Sequence, residues 1–136
     1  MRTVTDYGFG TTLHASYDEA VAAVKDALKA EGFGVLSEIN VKQTLKDKLG
    51  VEMAPYVILG ACNPPLAHRS LTAEPEIGLL LPCNVVVRAE GERTRVDVAD
   101  PVAMLGIVGN PELDAVAAEA KQRLQRVVAA LSQHEG

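Results

Sequence analysis

The chain has 136 residues, 48% of them hydrophobic and 23% charged, with no Trp, 4% aromatics and a net charge of −5. This is a globular mixture rather than a disordered one, and it predicts a single domain over residues 1–136 with an aliphatic core. The negative balance argues against a nucleic-acid binder, which needs a basic face for phosphates, and gives no support to an anionic membrane partner.

The opening stretch, Arg2 to Leu13, has Thr, Val and Tyr in extended patterns, with Gly8 and Gly10 as expected kinks or a bulge. Ser16-Tyr17-Asp18-Glu19 is a capping box, in which the serine hydroxyl takes a helical amide and the glutamate reaches back. Tyr17, Ala20, Val21, Val24 and Leu28 then recur on one helical face, and Gly32 supplies a left-handed stop. Phe33 to Ile39 is predicted as a strand. Simple alternation places Phe33, Val35, Ser37 and Ile39 on one face and Gly34, Leu36 and Glu38 on the other. Asn40 caps a short helix, Val41 to Leu49, that Gly50 closes; its lysines predict a partly solvated surface.

Pro55 to Ala61 reads as a nearly continuous apolar strand, buried on both sides. Asn63 is a good N-cap and Pro64 suits the first helical position, so a short helix over Leu66 to Ala73 follows. Pro75 to Leu81 has no clear periodicity. Cys83–Glu90 and Arg93–Val98 are predicted to pair as a hairpin around Gly91. Asp100-Pro101 ends that pairing, and Asn110-Pro111 opens a long final helix. Leu113, Val116, Ala117, Ala120, Leu124, Val127, Val128 and Leu131 form its apolar face. The sum is an α+β fold: a two-layer sandwich of β-α-β(4)-α type, with a mostly antiparallel sheet and a long C-terminal helix packed on it.

Met1 to Ala15 holds no apolar stretch of the length a signal peptide needs. The longest nearly charge-free run, Val51 to Ala67, is broken by proline and glycine and does not read as a membrane span. A cytoplasmic location is therefore expected, and the two cysteines read as reduced thiols before they read as a disulfide.

Each cysteine is followed at once by asparagine where a strand meets a turn: Cys62-Asn63 and Cys83-Asn84. Cys62 sits just before a capped helix, where partial positive charge favours a thiolate. The plainer alternative is a small buried hydrophobe at a strand end. Cys83 opens a valine-rich strand, and packing is its simplest role; strand pairing could make the two thiols neighbours. Asn63 and Asn84 suit capping and turn formation, or an amide that binds a ligand. Glu38, a carboxylate on an apolar strand, is either a site residue or a salt-bridge partner, with Lys42 the nearest candidate. His14, His68 and His134 are scattered, and no spacing matches a metal motif, so no metal is expected and no cofactor is indicated. Arg88, Arg93 and Arg95 read as a solvated basic strip on the hairpin, and Glu119 with Arg123 as a surface pair.

The runs Gly32-Phe33-Gly34-Val35-Leu36-Ser37-Glu38-Ile39-Asn40-Val41-Lys42, Lys48-Leu49-Gly50, Tyr56 to Pro64 and Leu80-Leu81-Pro82-Cys83-Asn84-Val85, with Asp100-Pro101 and Met104, resemble the signature of the domain-of-unknown-function 302 (DUF302) family. The resemblance covers nearly the whole chain. It implies a TATA-binding-protein-like α+β fold and a homodimer, and it brings no settled activity. The first functional expectation is a domain that binds a small molecule without catalysis at Cys62, Asn63, Cys83, Asn84 and Glu38, with Leu59, Leu80 and Leu81 as apolar wall. One alternative is a thiol redox or sulfur-handling protein using Cys62 with Cys83. The other is a structural module in which both thiols only pack. Whether the chain is an enzyme is left open, since no nucleophile elbow, phosphate loop or acid–base pair stands out.

Overall fold

The structure is a computed structural model and describes residues 2–133. An antiparallel sheet of six strands runs in the order β1-β2-β6-β5-β4-β3. The strands are β1 (Arg2–Thr5), β2 (Gly8–Leu13), β3 (Gly34–Asn40), β4 (Tyr56–Cys62), β5 (Cys83–Glu90) and β6 (Arg93–Ala99). The helices are α1 (Tyr17–Ala30), α2 (Val41–Leu49), α3 (Pro64–Ala73), α4 (Pro101–Gly106) and α5 (Asp114–Ser132). Two 3-10 segments, Pro75–Leu80 and Pro111–Leu113, precede β5 and α5.

Helices α1 and α5 cover one face of the sheet. Ala20, Val24 and Leu28 from α1 and Leu124, Val127, Val128 and Leu131 from α5 meet Phe9, Leu13, Val57, Leu59, Val85, Val87, Val96 and Val98 from the strands. The period of each element explains the match: steps of three and four on the helices, steps of two on the strands. Each fully buried leucine or valine contributes roughly 1.5–3 kcal/mol, so an aliphatic core suffices without tryptophan. The expected two-layer α+β sandwich is what forms.

Helix α1 starts as its capping box predicts, with the Glu19 amide donating to Ser16 Oγ at 3.2 Å. Asn40 Oδ1 accepts from the Gln43 amide at 2.9 Å, and Gly50 ends α2 at φ 68°. Glu119 and Arg123 pair at 3.2 Å along α5.

Several elements depart from the sequence reading. The first stretch is a hairpin, with β1 as a separate strand folded back on β2. Asp100-Pro101 does more than end β6: Asp100 Oδ1 accepts from the Val102 and Ala103 amides and caps α4. Asp100 also pairs with Lys121 of α5 at 2.9 Å.

Strand β3 is bulged between Val35 and Ser37. Val35 lies opposite Ala61, and Glu38 lies opposite Leu59, so both face the helices; Ser37 and Ile39 turn to the open face. The extra residue of the bulge reverses the alternation that a regular strand would have kept. Strand β4 is buried along its helix face, while on the other face Gly60 is buried and Tyr56 and Ile58 are half-buried.

The arginine strip is also not wholly solvated. Arg95 is 3% exposed and holds Asp97 Oδ1 through Nε at 3.1 Å and Nη2 at 2.8 Å, while Nη1 donates to Thr12 Oγ1 at 3.4 Å. The guanidinium is on the open face of the sheet, and the Asp97 carboxylate beside it offsets the cost of burying its charge.

Candidate functional site

The core is not continuous. Beyond the main cluster, Ile77, Leu105, Leu113 and Ala117 form a second one, and Leu66, Val116 and Ala120 a third. Between them lies a cleft of about 590 Å³. Its floor is the end of the sheet, where Ala61, Cys62, Cys83 and Ala99 finish or begin their strands. One wall is α3, with Leu66, Ala67, Ser70 and Leu71; another is α4 and α5, with Met104, Leu105, Val116 and Ala120. Leu79, Leu80 and Leu81 close a third side, and Leu36 and Ser37 of the β3 bulge form the rim. Leu36, Leu71 and Leu79 are exposed there, so the mouth is itself apolar.

None of the side chains lining this cleft is charged. The described lining therefore holds no carboxylate or histidine for general acid–base work and no counter-ion for a charged ligand. Among the described residues, no three of His, Cys, Asp and Glu gather to hold a metal ion. His68 lies on the outer side of α3, outside the cleft; His14 is exposed before α1, and His134 lies outside the described residues.

Four of the sequence-predicted site residues meet here. Ala61 pairs with Cys83 across β4 and β5, Cys62 lies one position beyond that pair, and Asn63 and Asn84 follow at the two strand ends. Both cysteines are free thiols. Glu38 is not brought in. It stands on the helix face and pairs with Lys25 of α1 rather than with Lys42. Leu59 sits in the main core, so of the expected apolar wall only Leu80 and Leu81 reach the cleft.

The two asparagines differ. Asn63 is buried and its amide is spent on the fold: Oδ1 accepts from the Leu66 amide at 3.3 Å, capping α3, and Nδ2 donates to the Glu31 carbonyl at 3.4 Å. Arg123 Nη1 donates to the same carbonyl at 3.1 Å, so the end of α1 is tied to α3 and α5 at one oxygen. Gly32 makes that junction possible. Its φ is +84°, and a Cβ there would sit 3.0 Å from Asn63 Nδ2. Asn84 is exposed on the open face of the sheet, which leaves its amide available at the cleft mouth.

Burial raises the Cys83 thiol from an ordinary 9.0 to about 11, and the neighbouring Cys62 adds to the shift. A buried thiol without a cation nearby resists ionisation. The folded chain therefore holds this proton more tightly than the unfolded chain. Stability is indifferent to this group below pH 9 and falls between pH 9 and about 11, by at most roughly 1.4 kcal/mol per pH unit. Denaturant titrations across that window should show the decline in the wild type and a shallower one in Cys83→Ala. Equal slopes would refute the assignment.

Sequence reasoning missed Ser37, Leu71, Val116 and Ala120 as cleft residues. The bulge carries no sequence mark, and Val116 and Ala120 are indistinguishable from core positions on an amphipathic helix. Met104 was within reach: Asp100-Pro101 has the same cap-plus-proline form as Asn63-Pro64, which announces a helix.

No curated protein matches the chain. A crystal structure of an uncharacterized conserved protein DUF302 from Bacillus stearothermophilus is similar to it at 30% identity and a TM-score of 0.86, covering 93% of this chain and 99% of that one. The family described as "Domain of unknown function DUF302" matches residues 9–131, which include every residue of the cleft. With nearly the whole fold and both Cys-Asn pairs inside that match, the chain belongs to the DUF302 family.

Proposed function

We propose that the protein binds an uncharged, largely apolar small molecule in the cleft at the end of the sheet, without catalysing its conversion. The observation that carries this reading is a cleft of about 590 Å³ with no charged side chain in its lining. The volume falls within the roughly 300–1,000 Å³ of small-molecule sites. It is about four times the roughly 150 Å³ that holds benzene in an engineered apolar cavity. Exposed leucines at the mouth extend the apolar surface toward solvent, and Ser37, Cys62 and Asn84 supply a few polar contacts that would orient a hydroxyl or carbonyl. Glu38 drops out of the proposed site because its carboxylate is engaged with Lys25.

The neutral dye Nile red tests this directly. Titration into the purified protein should give a saturable blue-shifted emission at one site per chain, and native mass spectrometry of gently purified material should show a co-purified uncharged mass. Unsaturable dye partitioning together with a bare chain mass would sink the reading.

Thiol exchange between Cys62 and Cys83 is the second reading, favoured by their shared place in the cleft lining, near enough for Cys62 to influence the Cys83 thiol. The raised Cys83 pKa opposes it, since a thiol held protonated is a slow nucleophile at neutral pH. We extend the proposal to a homodimer as the working unit, as the family resemblance implies.

A further inference from the structure

The polar groups of the cleft are unevenly placed. Asn63 and Ser70 are spent on the fold: Asn63 caps α3 and holds the Glu31 carbonyl, and Ser70 Oγ donates to the Leu66 carbonyl at 2.9 Å. Thiols such as Cys62 and Cys83 are weak hydrogen-bonding groups. Ser37 and Asn84 remain, both exposed, and neither side chain hydrogen-bonds to another described residue. The strand register joins them. Ser37 lies opposite Gly60 across β3 and β4, and Gly60 lies opposite Asn84 across β4 and β5, so the three form one row on the open face of the sheet. Gly60 lets the row close up, because a Cβ there would run into Ser37 Oγ and the Pro82 ring. The unspent polar groups thus mark one side of the mouth. Behind them the walls are mainly aliphatic, and Phe33 is the only aromatic side chain among the described residues of the lining.

We propose that the guest of this cleft is a single-chain aliphatic amphiphile with an uncharged hydroxyl or ester head. Ser37 and Asn84 hold the head at the mouth, and the chain runs inward toward the buried Leu105 and Val116. That identity rests on the cleft being a small-molecule site, and adds a class and an orientation to it. Charge selects the head: with no charged side chain in the lining, a carboxylate or ammonium would shed water without gaining a counter-ion. A hydroxyl or ester instead meets a serine that donates or accepts and an amide that does both. The walls select the tail, since a single aromatic ring offers a flat aromatic guest little stacking. Size selects one chain. At the density of benzene in its cavity of about 150 Å³, the cleft's 590 Å³ takes roughly two dozen carbon atoms. That accommodates one long chain and falls short of a two-chain lipid.

Displacement of Nile red from the full chain by straight-chain alcohols tests the class. From 1-hexanol to 1-decanol, affinity should tighten about fourfold per added methylene. Decanoate at about pH 8 has the same carbon count as 1-decanol and a charged head, and should compete at least about tenfold more weakly. Ser37→Ala and Asn84→Ala change exposed residues and should leave the thermal melt in place. Each should shift the whole alcohol series weaker by roughly threefold to tenfold, with the increment per methylene unchanged. A merely structural role would move the melt or the increment instead. A series flat in chain length, decanoate equal to 1-decanol, or alcohols unmoved in both variants would each overturn the inference, while saturable dye binding would keep the cleft as a small-molecule site. A chain that takes up no dye would lose both.

Discussion

Gly10→Ala should cost about 3 kcal/mol of stability, the upper end of what overpacking typically does. A Cβ at Gly10 would lie 2.0 Å from the Val96 carbonyl oxygen and 2.6 Å from Asp97 Oδ1. The first contact is with backbone, so no side-chain rotation relieves it; β2 and β6 have to part. The second displaces the carboxylate that neutralises Arg95, a guanidinium only 3% exposed. Loss of that partner leaves a buried charge uncompensated, which adds to the steric cost. For a chain of this size the melting temperature should fall by about 10 °C. Gly78→Ala is the matched control, because a Cβ there meets nothing within 4 Å. Coincident melts for Gly10→Ala and the wild type would mean that the sheet can absorb the clash, and that the Gly10–Asp97 contact is not a constraint.

The second large effect is on binding. Ala67→Phe should weaken Nile red binding between about tenfold and a hundredfold, or 1.4–2.8 kcal/mol, with stability unchanged or slightly raised. Ala67 is half-buried on the α3 wall. A benzyl-sized group there claims a volume near the roughly 150 Å³ that holds benzene, about a quarter of the cleft's 590 Å³. Because the space is apolar and open, the ring fills it without displacing core side chains, as stabilising cavity-filling substitutions do. Ala22→Phe, on the exposed side of α1, adds the same ring away from the cleft and should leave the dye affinity alone. Equal losses in both variants would mean that the dye reports general surface hydrophobicity; no loss in Ala67→Phe would place its site elsewhere.

Local chemistry was the legible part of this fold. Asn40 and Gly50 bound α2, and Ser16 with Glu19 starts α1, because caps act within a few residues of where they are written. The long-range part was less so. The bulge at Val35–Ser37 depends on how β3 meets β4, and one extra residue there moved Glu38 to the helix face and Ser37 to the cleft rim. Arg95 looked solvated beside Arg88 and Arg93, because strand alternation alone does not reveal that Asp97 and Thr12 would enclose it. The site divides the same way. The two Cys-Asn pairs were visible as strand ends, and the register of β4 with β5 brought them together. The opposite wall comes from α4 and α5, more than a dozen residues further along, where the pattern signals burial without saying against what.

The gap between the clusters also bears on how the molecule comes apart. The sheet, α1 and the second half of α5 share one continuous interior, whereas α3, α4 and the 3-10 segment Pro75–Leu80 pack with the first half of α5 in two smaller clusters across open space. Cooperative units in proteins follow contiguous packing. The smaller layer can therefore lift while the sheet stays intact, and that partial opening is a route by which a guest could enter or leave without global unfolding.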